Sequence, residues 1–131
     1  MIPSDIDKIE EALAVRLPEQ YRVAIQGADA SELSKYGLFD DAALIIERTL
    51  EQRVGYGGAA PWPQPFVYIG DQEDACPYAL DCTSGIVVHS DHGSLQETLG
   101  RYGSVRELTA GLLDETEAQA PRPGWWRFWK K

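Results

Sequence analysis

Apolar positions along this chain recur with two different periods, and the change from one to the other divides it. Near the start, Ile6, Ile9 and Leu13 repeat at helical spacing, with Asp7, Lys8, Glu10 and Glu11 on the outer side. Ser4 and Asp7 match a capping box, so the spacing predicts a first helix from about Asp5 to Arg16. Leu17-Pro18-Glu19 ends it and begins a second, because proline is tolerated in a first helical turn and an acidic side chain there suits the helix dipole. Leu17, Tyr21 and Ile25 line the inner face of that second helix, and Gly27 closes it. Ser31 to Phe39 carries no clear period and is read as a short extended segment around Tyr36 to Phe39. Asp40 or Asp41 then caps a third helix with Ala43, Ile46, Leu50 and Val54 on its buried side.

Gly55 to Pro65, GYGGAAPWPQP, is too rich in breakers for a regular element and reads as a loop anchored by Trp62. Beyond it the period becomes two. Phe66 to Ile69 is β-branched or aromatic on both faces, as in a strand covered on both sides. From Cys76 to Cys82 the faces separate: Cys76, Tyr78, Leu80 and Cys82 on one, Pro77, Ala79 and Asp81 on the other. Pro77 cannot donate to a ladder, which puts it at a sheet edge or a bulge. Thr83-Ser84-Gly85 turns the chain, and Ile86 to His89 returns antiparallel. Leu95 to Leu99 reads as one or two helical turns. Ser104 and Glu107 form a second capping box before a last helix, with Val105, Leu108 and Leu112 inside, to about Glu115. The predicted fold is α+β: a three-strand antiparallel meander with an added edge strand, packed by N-terminal, middle and C-terminal helices.

At 131 residues the chain is about one domain, large enough for a core without metal or disulfide support. Residues 1–117 form the predicted domain and 118–131 a tail. Neither a signal peptide nor an apolar run of membrane-spanning length is visible, so the expected location is the cytoplasm. Cys76 and Cys82 lie too far apart on one strand to bridge and are expected to be reduced core thiols.

Charge adds more. All 21 acidic residues fall at or before Glu117 with eight of the 12 Lys and Arg, so that part carries −13; four basic tail residues restore the total to −9. Such a body repels phosphate backbones, which argues against direct nucleic-acid binding and for a partner with a basic surface. The plainer alternative is that acidity serves solubility alone. The tail PRPGWWRFWKK holds three of the four tryptophans. It reads as a flap over the domain's own core, as a partner-binding or homodimer-forming segment, or as a weak anchor to an anionic membrane face.

Asp71-Gln72-Glu73-Asp74 places Asp71, Glu73 and Asp74 on a hairpin tip, as contacts to a basic partner or as a solvated turn. Asp40 and Asp41 are further candidate contacts, with helix capping the alternative; Trp62 is an interface anchor or a loop plug. Asp91 lies in His89-Ser90-Asp91-His92, the one stretch resembling enzyme or metal chemistry. His89 and His92, three apart across a strand end, should diverge, so no metal site is expected there. No redox Cys-x-x-Cys, phosphate-binding glycine loop or nucleophile elbow occurs. No cofactor is expected.

In order and spacing these signals resemble the SUKH superfamily. They are Ile6-x-x-Ile9-Glu10 with Leu13, Leu17-Pro18-x-x-Tyr21-Arg22, Val67-Tyr68-Ile69-Gly70, Tyr78-Ala79-Leu80-Asp81, Gly85-Ile86-Val87 and the final amphipathic helix. The resemblance covers about Ile6 to Leu113. Ala75-Cys76-Pro77 departs from the Gly-Asp pair expected before the strand aromatic, and the tail matches no part of the pattern. The resemblance implies helices packed on a sheet and, in bacteria, a non-enzymatic immunity protein that binds and neutralises a toxin. A cytosol-acting, nuclease-type toxin with a basic cleft would suit the acidic body. A regulatory or scaffolding module using the same acidic face is the alternative; an enzyme using His89, Asp91 and His92 is a third.

Overall fold

A computed structural model of the chain describes residues 1–55, 58, 60–71 and 76–109. Four helices precede the sheet: α1 (Pro3–Leu13), α2 (Glu19–Gly27), α3 (Ala30–Lys35) and α4 (Ala42–Arg53). Strands β1 (Phe66–Asp71), β2 (Pro77–Asp81), β3 (Val87–Asp91) and β4 (Ser94–Tyr102) follow, all antiparallel in the order β1-β2-β3-β4. A final helix, α5, is described over residues 105–109. The α+β expectation holds. The expected continuation of α5 to Glu115, Leu112 on its inner face and the tail of residues 118–131 lie outside the described residues.

The period-two segment separates two apolar layers. Val67, Ile69, Tyr78, Leu80 and Val87 face the helices and join Ile6, Ile9, Leu13, Leu17, Tyr21 and Ile25 in the main core. Tyr68, Ala79 and Val88 point to the opposite face, where Trp62 covers them. β1, β2 and β3 thus bury residues on both faces, as the apolar run at Phe66 to Ile69 requires. Arg53 and Gln64 close the end of α1: the guanidinium donates to the Leu13 carbonyl at 2.9 Å, and the Gln64 amide donates to that of Ala14 at 2.6 Å. Both satisfy carbonyls that the helix cannot bond itself.

Several boundaries differ from the sequence reading. Pro3 opens α1 and no side chain caps it, so the Ser4 capping box is not formed; Ala14, in a left-handed conformation, ends the helix short of Arg16. A short helix, α3, occupies much of the ambiguous stretch, because Asp29 accepts from the Glu32 amide at 2.8 Å and caps it. Leu38 then bridges Gly70 as the expected extended segment. Leu95 to Leu99 belongs to β4 rather than to a helix. The α4 helix is rotated from its predicted setting: Ile45, Thr49 and Gln52 are buried, whereas Ala43, Leu50 and Val54 are exposed. Thr49 Oγ1 accepts the Tyr68 amide at 2.9 Å, and the Gln52 carbonyl accepts the Trp62 amide at 2.9 Å. The second capping box forms as expected: Ser104 Oγ accepts the Glu107 amide at 3.2 Å, and the Glu107 carboxylate accepts the Gly103 amide.

Candidate functional site

One end of the sheet carries two of the carboxylates that the charge pattern singles out, Asp71 and Asp91. Antiparallel pairing sets Asp71 opposite Pro77 and Tyr78 opposite His89. The same register places Cys76 across from Asp91, at the start of β2 and the end of β3. Adjacent strands lie about 4.8 Å apart, so Asp71 and Asp91 stand two strands, on the order of 10 Å, from each other.

The chain reaches this arrangement through close backbone approaches. Gly37 and Gly70 let the segment before α4 run against β1: the Asp71 amide donates to the Gly37 carbonyl, and the Phe39 amide donates to that of Ile69, each at 2.9 Å. A Cβ at Gly70 would strike the Gly37 carbonyl oxygen and come within 2.8 Å of Leu38 Cα. The β1 edge is therefore covered, as exposed strand edges generally must be. On the other side, His92 (φ 53°) and Gly93 (φ 87°) form the two-residue turn between Asp91 and Ser94. A type I′ hairpin turn needs positive φ at both positions.

Each predicted contact residue has a definite setting. Asp71 is half-buried and its Oδ2 accepts from the Tyr68 hydroxyl at 2.8 Å. Burial and that carboxylate raise the Tyr68 pKa well above its ordinary value, and Glu51 adds to the effect while Arg48 opposes it. Arg48 in turn donates to Glu51 at 2.8 Å. Asp41 is exposed and caps α4, with its Oδ1 accepting from the Leu44 amide at 3.3 Å. Asp40, also exposed, pairs with the Met1 ammonium at 3.3 Å. Asp91 Oδ1 lies 2.5 Å from His92 Nδ1. Glu73 and Asp74 lie outside the described residues.

Trp62 is corrected from a contact residue to a plug. Only 4% of it is exposed, its indole N–H donates to the Gly93 carbonyl at 2.7 Å, and it stacks on Tyr68 with centroids 5.8 Å apart. It cannot meet a partner without leaving the core, and its hydrogen bond fixes the β3–β4 turn instead.

His89 and His92 diverge as expected: His89 packs against Tyr78 with centroids 4.5 Å apart, while His92 sits exposed in the turn. The cysteines differ from the core-thiol expectation. Both are free and only partly buried. Cys82 lies at the far end of the sheet, where burial, with Asp81 nearby, pushes its thiol up to about 12. Cys76 precedes β2 and stands beside Asp91 and His92, the ligand atoms of all three within 4.8 Å of one another. Sequence reasoning missed this grouping, although counting the register back from the Thr83-Ser84-Gly85 turn pairs Cys76 with His92, one residue from the observed pairing with Asp91.

Arginines collect elsewhere. Arg16 and Arg22 line one shallow depression along α2 and Arg106 lines another, with Glu19 in both. None of the described helices is long and apolar enough to cross a membrane. Comparison with protein-family models, with curated proteins and with solved structures returns no match.

Proposed function

We propose that this chain is a non-enzymatic interaction domain of the SUKH immunity type, which binds and neutralises a cytosol-acting, nuclease-type toxin through its acidic surface. The observation that carries the reading is the run of carboxylates along β1 and α4 on a body of strongly negative net charge. Asp40, Asp41, Glu47, Glu51 and Asp71 follow β1 and α4, and Asp91 stands at the same sheet end as Asp71, whereas Arg16, Arg22 and Arg106 lie along α2. A domain with −13 on its first 117 residues would be steered to a basic cleft and would compete there with phosphate.

The carboxylates are also partly pre-set. Asp41, Asp71 and Asp91 each commit one oxygen to a bond within the domain, which limits the rotamers that remain to be ordered on binding. The test is co-expression with the product of the adjacent gene. Protection of the host and co-purification are expected, and both should weaken on Asp71→Lys and Asp41→Lys. A chain that neither protects nor co-purifies belongs instead to the regulatory or scaffolding class.

A further inference from the structure

We propose that Cys76, Asp91 and His92 form a binding site for a single transition-metal ion of the zinc class. Three different donor types meet there: a thiol, a carboxylate and an imidazole, with their ligand atoms within 4.8 Å of one another. Around tetrahedral zinc, with bonds of about 2.0–2.3 Å, ligand atoms sit roughly 3.3–3.8 Å apart. The widest gap must close by no more than about 1–1.5 Å, which side-chain rotation supplies. Sulfur and nitrogen donors favour zinc and cobalt over magnesium and calcium, and three protein ligands leave a fourth position for water.

The donors rest on rigid supports, which separates this grouping from a chance surface cluster. Ser90, fully buried, donates its hydroxyl to the Pro77 carbonyl at 3.1 Å, so the residues next to Cys76 and Asp91 are tied together. The two-residue turn fixes His92 directly after Asp91, and the indole of Trp62 holds that turn through the Gly93 carbonyl at 2.7 Å. Cys76 and Asp91 are half-buried and His92 is exposed, so the site is anchored on one side and open on the other. Metal entry replaces the present Asp91–His92 hydrogen bond with shared coordination. The thiol proton and any proton held between Asp91 and His92 pass to solvent.

The inference does not depend on the toxin-binding reading, and its test uses no partner. Untagged full-length chain is titrated with Zn²⁺ by calorimetry and with Co²⁺ by absorption. One equivalent should bind, and Co²⁺ should give a sulfur-to-metal charge-transfer band with tetrahedral visible bands. Cys76→Ser should abolish the charge-transfer band. His92→Asn, which tolerates the left-handed turn position, and Asp91→Asn should each weaken binding at least about tenfold, the scale of losing a partner at a metal site. Cys82→Ala, at the opposite end of the sheet, should bind as the parent does. Far-UV circular dichroism of each variant verifies folding, and His92→Asn alone decides the matter if Cys76→Ser is unfolded. Absence of saturable binding, or binding that survives in both folded variants Cys76→Ser and His92→Asn, overturns the proposal.

Discussion

Gly70 and Trp62 show how single residues hold the acidic end of the sheet in place. Gly70 is required by proximity: a methyl group there meets backbone, including Leu38 Cα at 2.8 Å, and backbone cannot rotate away as a side chain can. Gly70→Ala should therefore cost about 3 kcal/mol or more, at the upper end for overpacking, in urea unfolding. Trp62 contributes both area and a hydrogen bond. Trp62→Ala should cost about 3–5 kcal/mol. Trp62→Phe, which keeps most of the ring but strips the Gly93 carbonyl of its donor, should cost only about 1–3 kcal/mol. If the Phe variant were as unstable as the Ala variant, the hydrogen bond to the turn would outweigh the stacking on Tyr68. Cys82 sets a pH dependence of its own. Its folded thiol titrates at about 12, against an ordinary 9.0, because burial disfavours the thiolate. The unfolded chain thus loses this proton first, and the stability it contributes is complete below pH 9 and drains away between about 9 and 12. Tyr21, fully buried, and Tyr68 shift in the same direction from 10.0. Urea midpoints should be level from pH 7 to 8 and fall above 9, with the onset moved upward in Cys82→Ala.

At the scale of elements, what the sequence disclosed depended on whether hydrophobicity alone decided burial. It did for β1, β2 and β3, whose apolar bursts match the two layers, and for α1 and α2, whose Ile6, Ile9, Leu13, Tyr21 and Ile25 are all buried. It did not for α4. There Thr49 turns inward because a strand edge supplies a hydrogen-bond partner for its hydroxyl, a benefit that apolar periodicity cannot register. The rotation yields a sharp pair of outcomes. Ile45→Ala should cost about 2–5 kcal/mol as a core deletion. Val54→Lys, at a residue 81% exposed, should stay within about 0.5 kcal/mol. The predicted helical setting would reverse that order in thermal or urea unfolding. β4 was illegible for a related reason: Gln96, Glu97, Thr98 and Leu99 are exposed along the sheet's outer strand, so no alternation marks them. The α3 cap rests on Asp29 and Glu32 at capping distance, a signal that apolar periodicity in Ser31 to Phe39 passes over. The Cys76–Asp91–His92 grouping depends on the register across the β2–β3 hairpin, which apolar periodicity alone does not carry.

Among the described residues, carboxylates line β1, α4 and one sheet end on a body of strongly negative net charge, and that arrangement bears on rates before it bears on affinity. Long-range attraction raises encounter frequency, whereas the tightness of the final complex rests on short-range packing and desolvation at its centre. Charge reversal on the anionic side should therefore appear mainly in the association rate constant. With a basic protein partner, Asp71→Lys and Glu51→Lys should each slow association several-fold at low ionic strength while changing dissociation less. The difference from the parent should shrink as salt rises, because the Debye length falls from about 30 Å at 0.01 M to about 3 Å at 1 M. Val54→Lys supplies the control. It adds a positive charge at the exposed end of α4 without removing an anion or a buried contact, so its effect should be smaller than that of Asp71→Lys at every salt concentration. Stopped-flow association across that salt range separates the alternatives: equal slowing by all three variants would mean that net charge, rather than the anionic face around Asp71 and Glu51, guides the encounter.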